Sequence, residues 1–338
     1  MMKAWRIEGE FGLERLRQVE MASVPVARGQ VRLKMRAVGL NYRDLMMIQG
    51  RYNPRQPLPL VPCSDGVGEV VEVGPEVDGA WLGRRVSPIF AQGWQSGEPT
   101  REKLRTTLGG PLAGTLREEM VCDVSSVVAV PDHLSDAEAA SLGCAGVTAW
   151  HAVVEQGNVG AGDVVVCLGT GGVSVFAMQF ATMMGAEVIM TSSSDAKLAR
   201  VRELGAAHVI NYRQEPQWGR AVKALTGGRG ADLVVEVGGA GTLQESIGAV
   251  RVGGTIALIG VLAGGMQPLN VVPVLMQNIR VQGVLVGSGE MFERMNRAIG
   301  AHRMRPVIDR VVGFDDVVSG FEAMREGAHL GKICVEVS

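Results

Sequence analysis

Residues 163–197, DVVVCLGTGGVSVFAMQFATMMGAEVIMTSSSDAK, constrain this chain more than any other stretch. Residues 163–168 are a short apolar run rich in β-branched side chains, long enough for a buried strand and too short for a helix. Gly169, Gly171 and Gly172 follow, and glycine takes positive φ and lets backbone approach a ligand closely. Val173, Phe176, Ala177, Phe180 and Met184 then recur at helical spacing, and residues 187–191 read as a second strand. A glycine turn between a parallel strand and a helix aims free backbone N–H groups at an anion, and the helix dipole adds to the attraction. The ligand implied is the pyrophosphate of a dinucleotide, with Gly169, Gly171, Gly172 and Val173 around it. The motif departs from G-x-G-x-x-G at Ser174, where the third glycine would let helix and strand pack closely. Residues 164–186 carry no charge, but the glycine turn, the strand-type start and the bounding Asp163 and Glu187 argue against a membrane span.

A chain of 338 residues suggests two domains, each able to bury its own core. Lys and Arg total 33 against 35 Asp and Glu, spread along the sequence, so no basic surface for nucleic acid or anionic membrane is indicated. Cys63, Cys122, Cys144, Cys167 and Cys334 are odd in number and form no C-x-x-C pair, which suits a reduced cytoplasm better than a disulfide frame. The opening MMKAWRIEGE has no apolar signal region, and a cytoplasmic protein is the expectation.

Along the chain, residues 1–124 read as β-rich, with strands near 3–7, 17–21, 30–38, 69–73, 83–86 and 115–122. Residues 94–114 read as a long loop without regular structure. Ser135 and Glu138 have the spacing of a capping box opening a short helix, and residues 144–156 read as a helix leading into the strand at Asp163. After Lys197, helices and strands alternate through strands near 208–210, 232–237, 254–260 and 280–286. About six strands result, as in a doubly wound parallel sheet. The tail carries amphipathic helices near 292–299 and 317–325 and a last strand at 332–337, which suggests a return to the first domain.

Several order-preserving motifs together carry a resemblance: Asn41-Tyr42-Arg43-Asp44, Ser64 to Val70 (SDGVGEV), Cys144 to Trp150 (CAGVTAW), Gly169 to Val173 (GTGGV) and Gly331-Lys332-Ile333. On these the chain resembles the medium-chain dehydrogenase/reductase superfamily, specifically its zinc-independent, quinone-oxidoreductase-like branch. The resemblance implies an α/β protein with a GroES-like β-rich catalytic domain, residues 1–124 and 289–338, and a Rossmann dinucleotide-binding domain, residues 125–288. It also implies a substrate and nicotinamide held in the cleft between them, and a homodimer paired through the edge strand near Val281 to Val286.

In zinc-dependent relatives a cysteine is found at the position of Asn41, and a histidine followed by glutamate at Ser64-Asp65. Catalytic zinc needs three such soft or imidazole ligands, and only Cys144 matches. No bound metal is therefore expected; the alternative is a site built from Cys63, Cys144 and Asp65. NAD-specific sites place an acid at the end of the second strand, where this chain has Ser192. Loss of that carboxylate, hydroxyls on Ser192 and Ser193, and Lys197 nearby favour NADP(H) over NAD(H). By resemblance, Tyr212 lies beside the adenosine end, and Lys332 reaches the pyrophosphate. Thr148, Gly260, Val261, Val286, Gly287 and Ser288 face the nicotinamide carboxamide.

The chemistry implied is hydride transfer to a quinone or to the β-carbon of an α,β-unsaturated carbonyl. Tyr52 matches a proton donor of related enoyl thioester reductases, and Asn41 would bond the nicotinamide ribose or the substrate carbonyl. Two other readings remain: a zinc-dependent alcohol dehydrogenase, and a catalytically silent NADPH-binding redox sensor.

Overall fold

The apolar run expected as a strand spans Val164–Leu168, and all five of its residues are buried in the computed structural model, which describes residues 1–337. Strands covered on both faces read as continuous apolar runs because no side chain meets solvent. Val164–Leu168 lies inside a six-stranded sheet ordered His208–Asn211, Glu187–Ser192, Val164–Leu168, Ala231–Glu236, Val250–Leu258 and Arg280–Gly283. Every neighbouring pair in it is parallel. The order reverses beside Val164–Leu168, and ligands of open parallel sheets bind beyond the strand ends at such a reversal. This unit comprises Thr148–Val286.

The helix after the turn, Gly172–Met183, buries Val175, Phe176, Phe180 and their small neighbours. Phe180 meets the Trp150 ring edge-on at 5.4 Å between centroids and stacks with Phe176 at 6.0 Å. Ser174, in place of the third glycine, is 1% exposed and donates its hydroxyl to the Leu168 carbonyl at 2.5 Å. A serine is accommodated because its hydroxyl bonds the strand end that its side chain approaches.

Some elements differ from expectation. Residues 144–156 are helical but not one α-helix: π turns at Leu142–Gly146 and His151–Gln156 flank the α-helical Val147–Trp150. A short helix, Val272–Met276, was not foreseen, nor was the strand Ile308–Gly313. The strand expected over 280–286 stops at Gly283, and Val286 stands in the left-handed region at φ +50°.

The other unit comprises Met1–Val147 and Gly287–Ser338. Its longest strand, Gln30–Leu40, pairs with Asp65–Val73, with Glu119–Asp123 and with the tail strand Lys332–Glu336. The sheet continues outward through Arg85–Pro88 to Val127–Ala129, and beyond the tail strand to Ile308–Gly313. Residues 125–147 therefore stay with this unit, against the boundary expected at 124. Val127–Ala129 completes the sheet edge, and the helix Asp136–Ala140 packs on Gln30–Leu40. That helix opens with the expected capping box, the Glu138 N–H donating to Ser135 Oγ and the Ser135 N–H to Glu138 Oε2. Gly39 is a glycine for close approach, since a Cβ there would lie 2.4 Å from the Ala140 carbonyl oxygen. Within residues 94–114 only Arg101–Leu104 is helical, and Trp94 is buried. Among the described residues no helix is long and apolar enough to cross a membrane.

Asp232 fixes where the central strand begins. Its carboxylate accepts the Val164 N–H at 2.8 Å and hydrogen bonds from Arg229 and Arg251. Burial would raise its pKa, but the bonds from Arg229, the Val164 N–H and Arg251 prevail and hold it below the usual range. Replacing Asp232 with Ala strands the Val164 donor and two guanidinium groups. We expect a loss of about 2–4 kcal/mol at neutral pH, read as a lower denaturant midpoint with an unchanged slope. An unchanged midpoint would exclude Asp232 as the anchor.

Candidate functional site

The glycine turn at the end of Val164–Leu168 is open. Gly169 stands at φ +73°, and a Cβ built on it or on Gly171 would meet nothing within 4 Å. Neither glycine is needed for packing, which is the arrangement a ligand-approaching backbone requires. The Gly169 N–H leans on Thr191 Oγ1 at 3.3 Å, while Gly172 and Val173 open the helix partly exposed. Helix N-termini present unpaired donors, so this turn and Gly172–Met183 suit a pyrophosphate.

The adjacent strand ends at Ser192, and the next ends at Asn211. The Tyr212 N–H bonds the Ser192 carbonyl at 3.1 Å, so Tyr212, which is exposed, stands beside the end of the second strand. Ser192 is buried and its hydroxyl accepts the Ser194 N–H; Ser193 is partly exposed. Ser194 caps the helix Asp195–Glu203, in whose first turn Lys197 lies. Ser192, Ser193, Lys197 and Tyr212 thus gather at neighbouring strand ends. One feature was missed: Asp195, bonded by Asn211 and Gln214, brings a carboxylate close to the position expected to lack one.

The residues assigned to a carboxamide are less uniform. Thr148 is buried on the α-helical turn Val147–Trp150, and Val261 is exposed. Gly260 is enforced by packing, because a Cβ would lie 2.3 Å from the Val237 carbonyl oxygen. Gly287 is crowded too, with Val147 Cγ1 at 2.7 Å from such a Cβ. Ser288 caps the helix Gly289–His302, its hydroxyl accepting the Met291 N–H, so its side chain already has a structural duty. Val286 alone combines burial with a left-handed backbone.

In the first unit the sequence motifs converge on a buried polar cluster. Asn41 and Asp44 open the helix Tyr42–Ile48, the Asn41 N–H donating to Asp44 Oδ2 at 2.9 Å. Asp65 accepts the Ser64 hydroxyl and the Cys144 N–H, each at 2.9 Å. Lys332, 3% exposed on the tail strand, donates to the Leu40 carbonyl at 2.7 Å and to Asn41 Oδ1 at 2.6 Å. Two of the three donors of its ammonium, the group expected to reach a pyrophosphate, are thus engaged inside this cluster. Burial raises the pKa values of both carboxyl groups, Asp44 to about 6, against the opposing charge chiefly of Arg43 at Asp44 and of Lys332 at Asp65.

Arg43 was not foreseen as a site residue. Its guanidinium lies 5.0 Å from the ring centroids of both Tyr52 and Phe90 and bonds the Leu108 carbonyl at 3.0 Å. Tyr52 is 43% exposed, with its ring against this cation. The signal available in the sequence was a charged pair, Arg43-Asp44, inside an otherwise apolar helix.

These donors do not suit a zinc ion. Among the described residues no three His, Cys, Asp or Glu side chains gather as metal ligands. Cys63 and Cys144 are held as neutral thiols, their pKa values pushed up by burial and by nearby carboxylates. The Asn41 amide oxygen already faces an ammonium, which would repel a second cation.

Residues 27–132 match the family described as alcohol dehydrogenase GroES-like domain, and residues 172–301 the one described as zinc-binding dehydrogenase. The chain is 39% identical over 315 residues to a zinc-type alcohol dehydrogenase-like protein of Schizosaccharomyces pombe, covering 91% of each. A solved structure of a candidate alcohol dehydrogenase from Sinorhizobium meliloti 1021 matches with a TM-score of 0.92 at 39% identity, over 99% of this chain and 98% of that one. A NAD-dependent alcohol dehydrogenase matches with a TM-score of 0.91 at 31% identity over 100% of both chains.

The buried carboxyl of Asp44 gives the cluster a pH signature. Because its folded pKa of about 6 lies above the ordinary 3.8, the folded state favours the protonated form. Its contribution is full below 3.8 and is lost as pH rises toward 6. Relative to an Asp44→Asn variant, the parent should lose up to about 3 kcal/mol across this window. Unfolding titrations of both proteins at a series of pH values check this, and a constant difference between them refutes it.

Proposed function

We propose a function for this chain from one premise: it belongs to the medium-chain dehydrogenase/reductase superfamily and is an oxidoreductase of that family. We infer a zinc-independent reductase that uses NADP(H) in preference to NAD(H) and acts on quinones or α,β-unsaturated carbonyl compounds. The observation that carries this reading is Lys332, whose buried ammonium bonds Asn41 Oδ1 beside two neutral thiols, leaving donors poorly suited to a metal. A carbonyl with no Lewis acid is a poor hydride acceptor, whereas a quinone or conjugated alkene is electron-poor already.

Bound NADPH would supply the hydride. Gly169 to Val173 would hold its pyrophosphate, and Ser192, Ser193 and Lys197 would bond or neutralise the 2′-phosphate. Reduction of a conjugated alkene consumes one hydride at the β-carbon and one proton at the α-carbon. Tyr52 is the candidate donor of that proton: its ring is backed by Arg43, and its exposure lets solvent return the proton. The second reading, a NAD-linked alcohol dehydrogenase, draws support from the names of the relatives and from Asp195 near the strand end.

Purified protein exhaustively treated with EDTA should oxidise NADPH against a panel of quinones and enones, and faster than NADH at equal concentration. Tyr52→Phe should lower enone turnover about 10²-fold, the scale of general acid catalysis. Activity that disappears on chelation and returns with zinc, or reaction confined to alcohols and NAD, would favour the second reading. Binding of NADPH with no turnover across the panel would favour a silent sensor. Unchanged turnover in Tyr52→Phe removes that residue from the chemistry.

A homodimer through the end of the second unit's sheet is part of the same proposal. Among the described residues Arg280–Gly283 has a strand neighbour on one side only, and Val281, Leu285, Leu275 and Met276 are exposed. Open apolar strand edges invite pairing with another copy. Sedimentation should give twice the chain mass, and Val281→Lys should shift it toward the monomer; a monomeric parent at micromolar concentration rejects the pairing.

A further inference from the structure

Val286 stands at φ +50°, where a β-branched side chain is a genuine outlier. Such a conformation persists only when the surroundings impose it, and strain of this kind concentrates at functional sites. The imposing contact is a histidine. His151 Nδ1 lies 2.7 Å from the Val286 carbonyl oxygen, and His151 Nε2 lies 3.1 Å from Gln156 Nε2. A carbonyl only accepts, so Nδ1 carries the proton, and Nε2 accepts from the Gln156 amide. The ring is 7% exposed.

His151 opens the π turn His151–Gln156, and the Gln156 carbonyl at its far end accepts a hydrogen bond from the Arg280 guanidinium. One turn therefore grips the edge-strand segment at both Arg280 and Val286. Wide turns of this kind are uncommon and recur at functional sites. A second departure from ordinary backbone accompanies the strain. Among the described residues nothing accepts a hydrogen bond from the Val286 N–H, although Val286 is buried. An unpaired donor in such a place is costly unless a ligand completes it.

We propose that His151 is a positioning residue for cofactor binding: by holding the Val286 carbonyl it keeps Val286 left-handed, so that the Val286 N–H stays free to bond the carboxamide oxygen of a nicotinamide. This rests on the second unit being a nicotinamide dinucleotide site. The role falls to the histidine because its bond to the carbonyl fixes the peptide that follows Val286 and, with the left-handed φ, turns the chain after Val286 out of the path of the strand that ended at Gly283.

The test uses the full chain and two probes, NADPH and adenosine 2′,5′-bisphosphate, which lacks the nicotinamide end. His151→Leu should weaken NADPH binding about tenfold, leave the bisphosphate within about twofold, and raise the KM for NADPH more than it lowers kcat. His151→Gln, which keeps an N–H donor, should restore most of the affinity. Val286→Gly placed in the His151→Leu background should also recover NADPH binding, because glycine takes positive φ without the histidine. Should His151→Leu fail to fold, His151→Asn, whose shorter amide falls short of Val286, is read the same way. Equal losses for both probes, or NADPH affinity unchanged in a folded variant, overturn the role of His151. A parent protein that binds neither NADPH nor NADH overturns the dinucleotide reading itself.

Discussion

A single buried ammonium organises the first unit. Lys332 reaches from the tail strand to the Leu40 carbonyl and to Asn41 Oδ1, so it ties the last strand to the end of the longest one and to the helix that starts there. Asp44 and Asp65 feel its charge, and so do the thiols of Cys63, Cys144 and Cys334. Buried carboxyl groups without compensating cations would be far more costly; Asp44 has Arg43 beside it, and for Asp65 the cation arrives from the tail strand. With the ammonium on its oxygen and the Asp65 carboxyl also bonded to its side chain, the Asn41 amide is held in one orientation.

The second unit solves a different problem. Its central strands, Val164–Leu168 and Ala231–Glu236, are buried along their whole length, and the reversal of strand order beside Val164–Leu168 leaves strand ends free for a ligand. The glycines there divide by physical role. Gly169 and Gly171 face open space, while Gly260 sits where a side chain would strike backbone. Only the first kind speaks of a ligand. Ser174 belongs to neither, and its hydroxyl turns a poor letter of the motif into a bond to the strand end.

Much was legible in the residues. The strand, turn and helix at 163–184 announced themselves through periodicity and glycine, and the capping box at Ser135 through spacing alone. Residues 144–156 were legible as helix but not as π turns, because a wide turn keeps nearly the same apolar pattern as an α-helix. The break at Gly283 was hidden because Val281 before it and Val284 to Val286 after it are apolar and β-prone, so Gln282 and Gly283 read as part of one strand. Arg43 was passed over because its partners, Tyr52, Phe90 and Leu108, come from loops whose paths composition does not reveal.

The sequence by itself determined the class of this protein: local patterns of burial and turn chemistry are short-range, and they sufficed to specify a β-rich unit and a Rossmann-like parallel sheet. Only the tertiary structure decided what individual polar groups are free to do. Lys332 gives two of its ammonium donors to Leu40 and Asn41, and the Ser288 hydroxyl caps a helix. Val286 acquired meaning only through His151. The physical reason is the same in each case: a hydrogen-bonding group has few bonds to give, and which partner takes them depends on contacts between segments far apart in the chain.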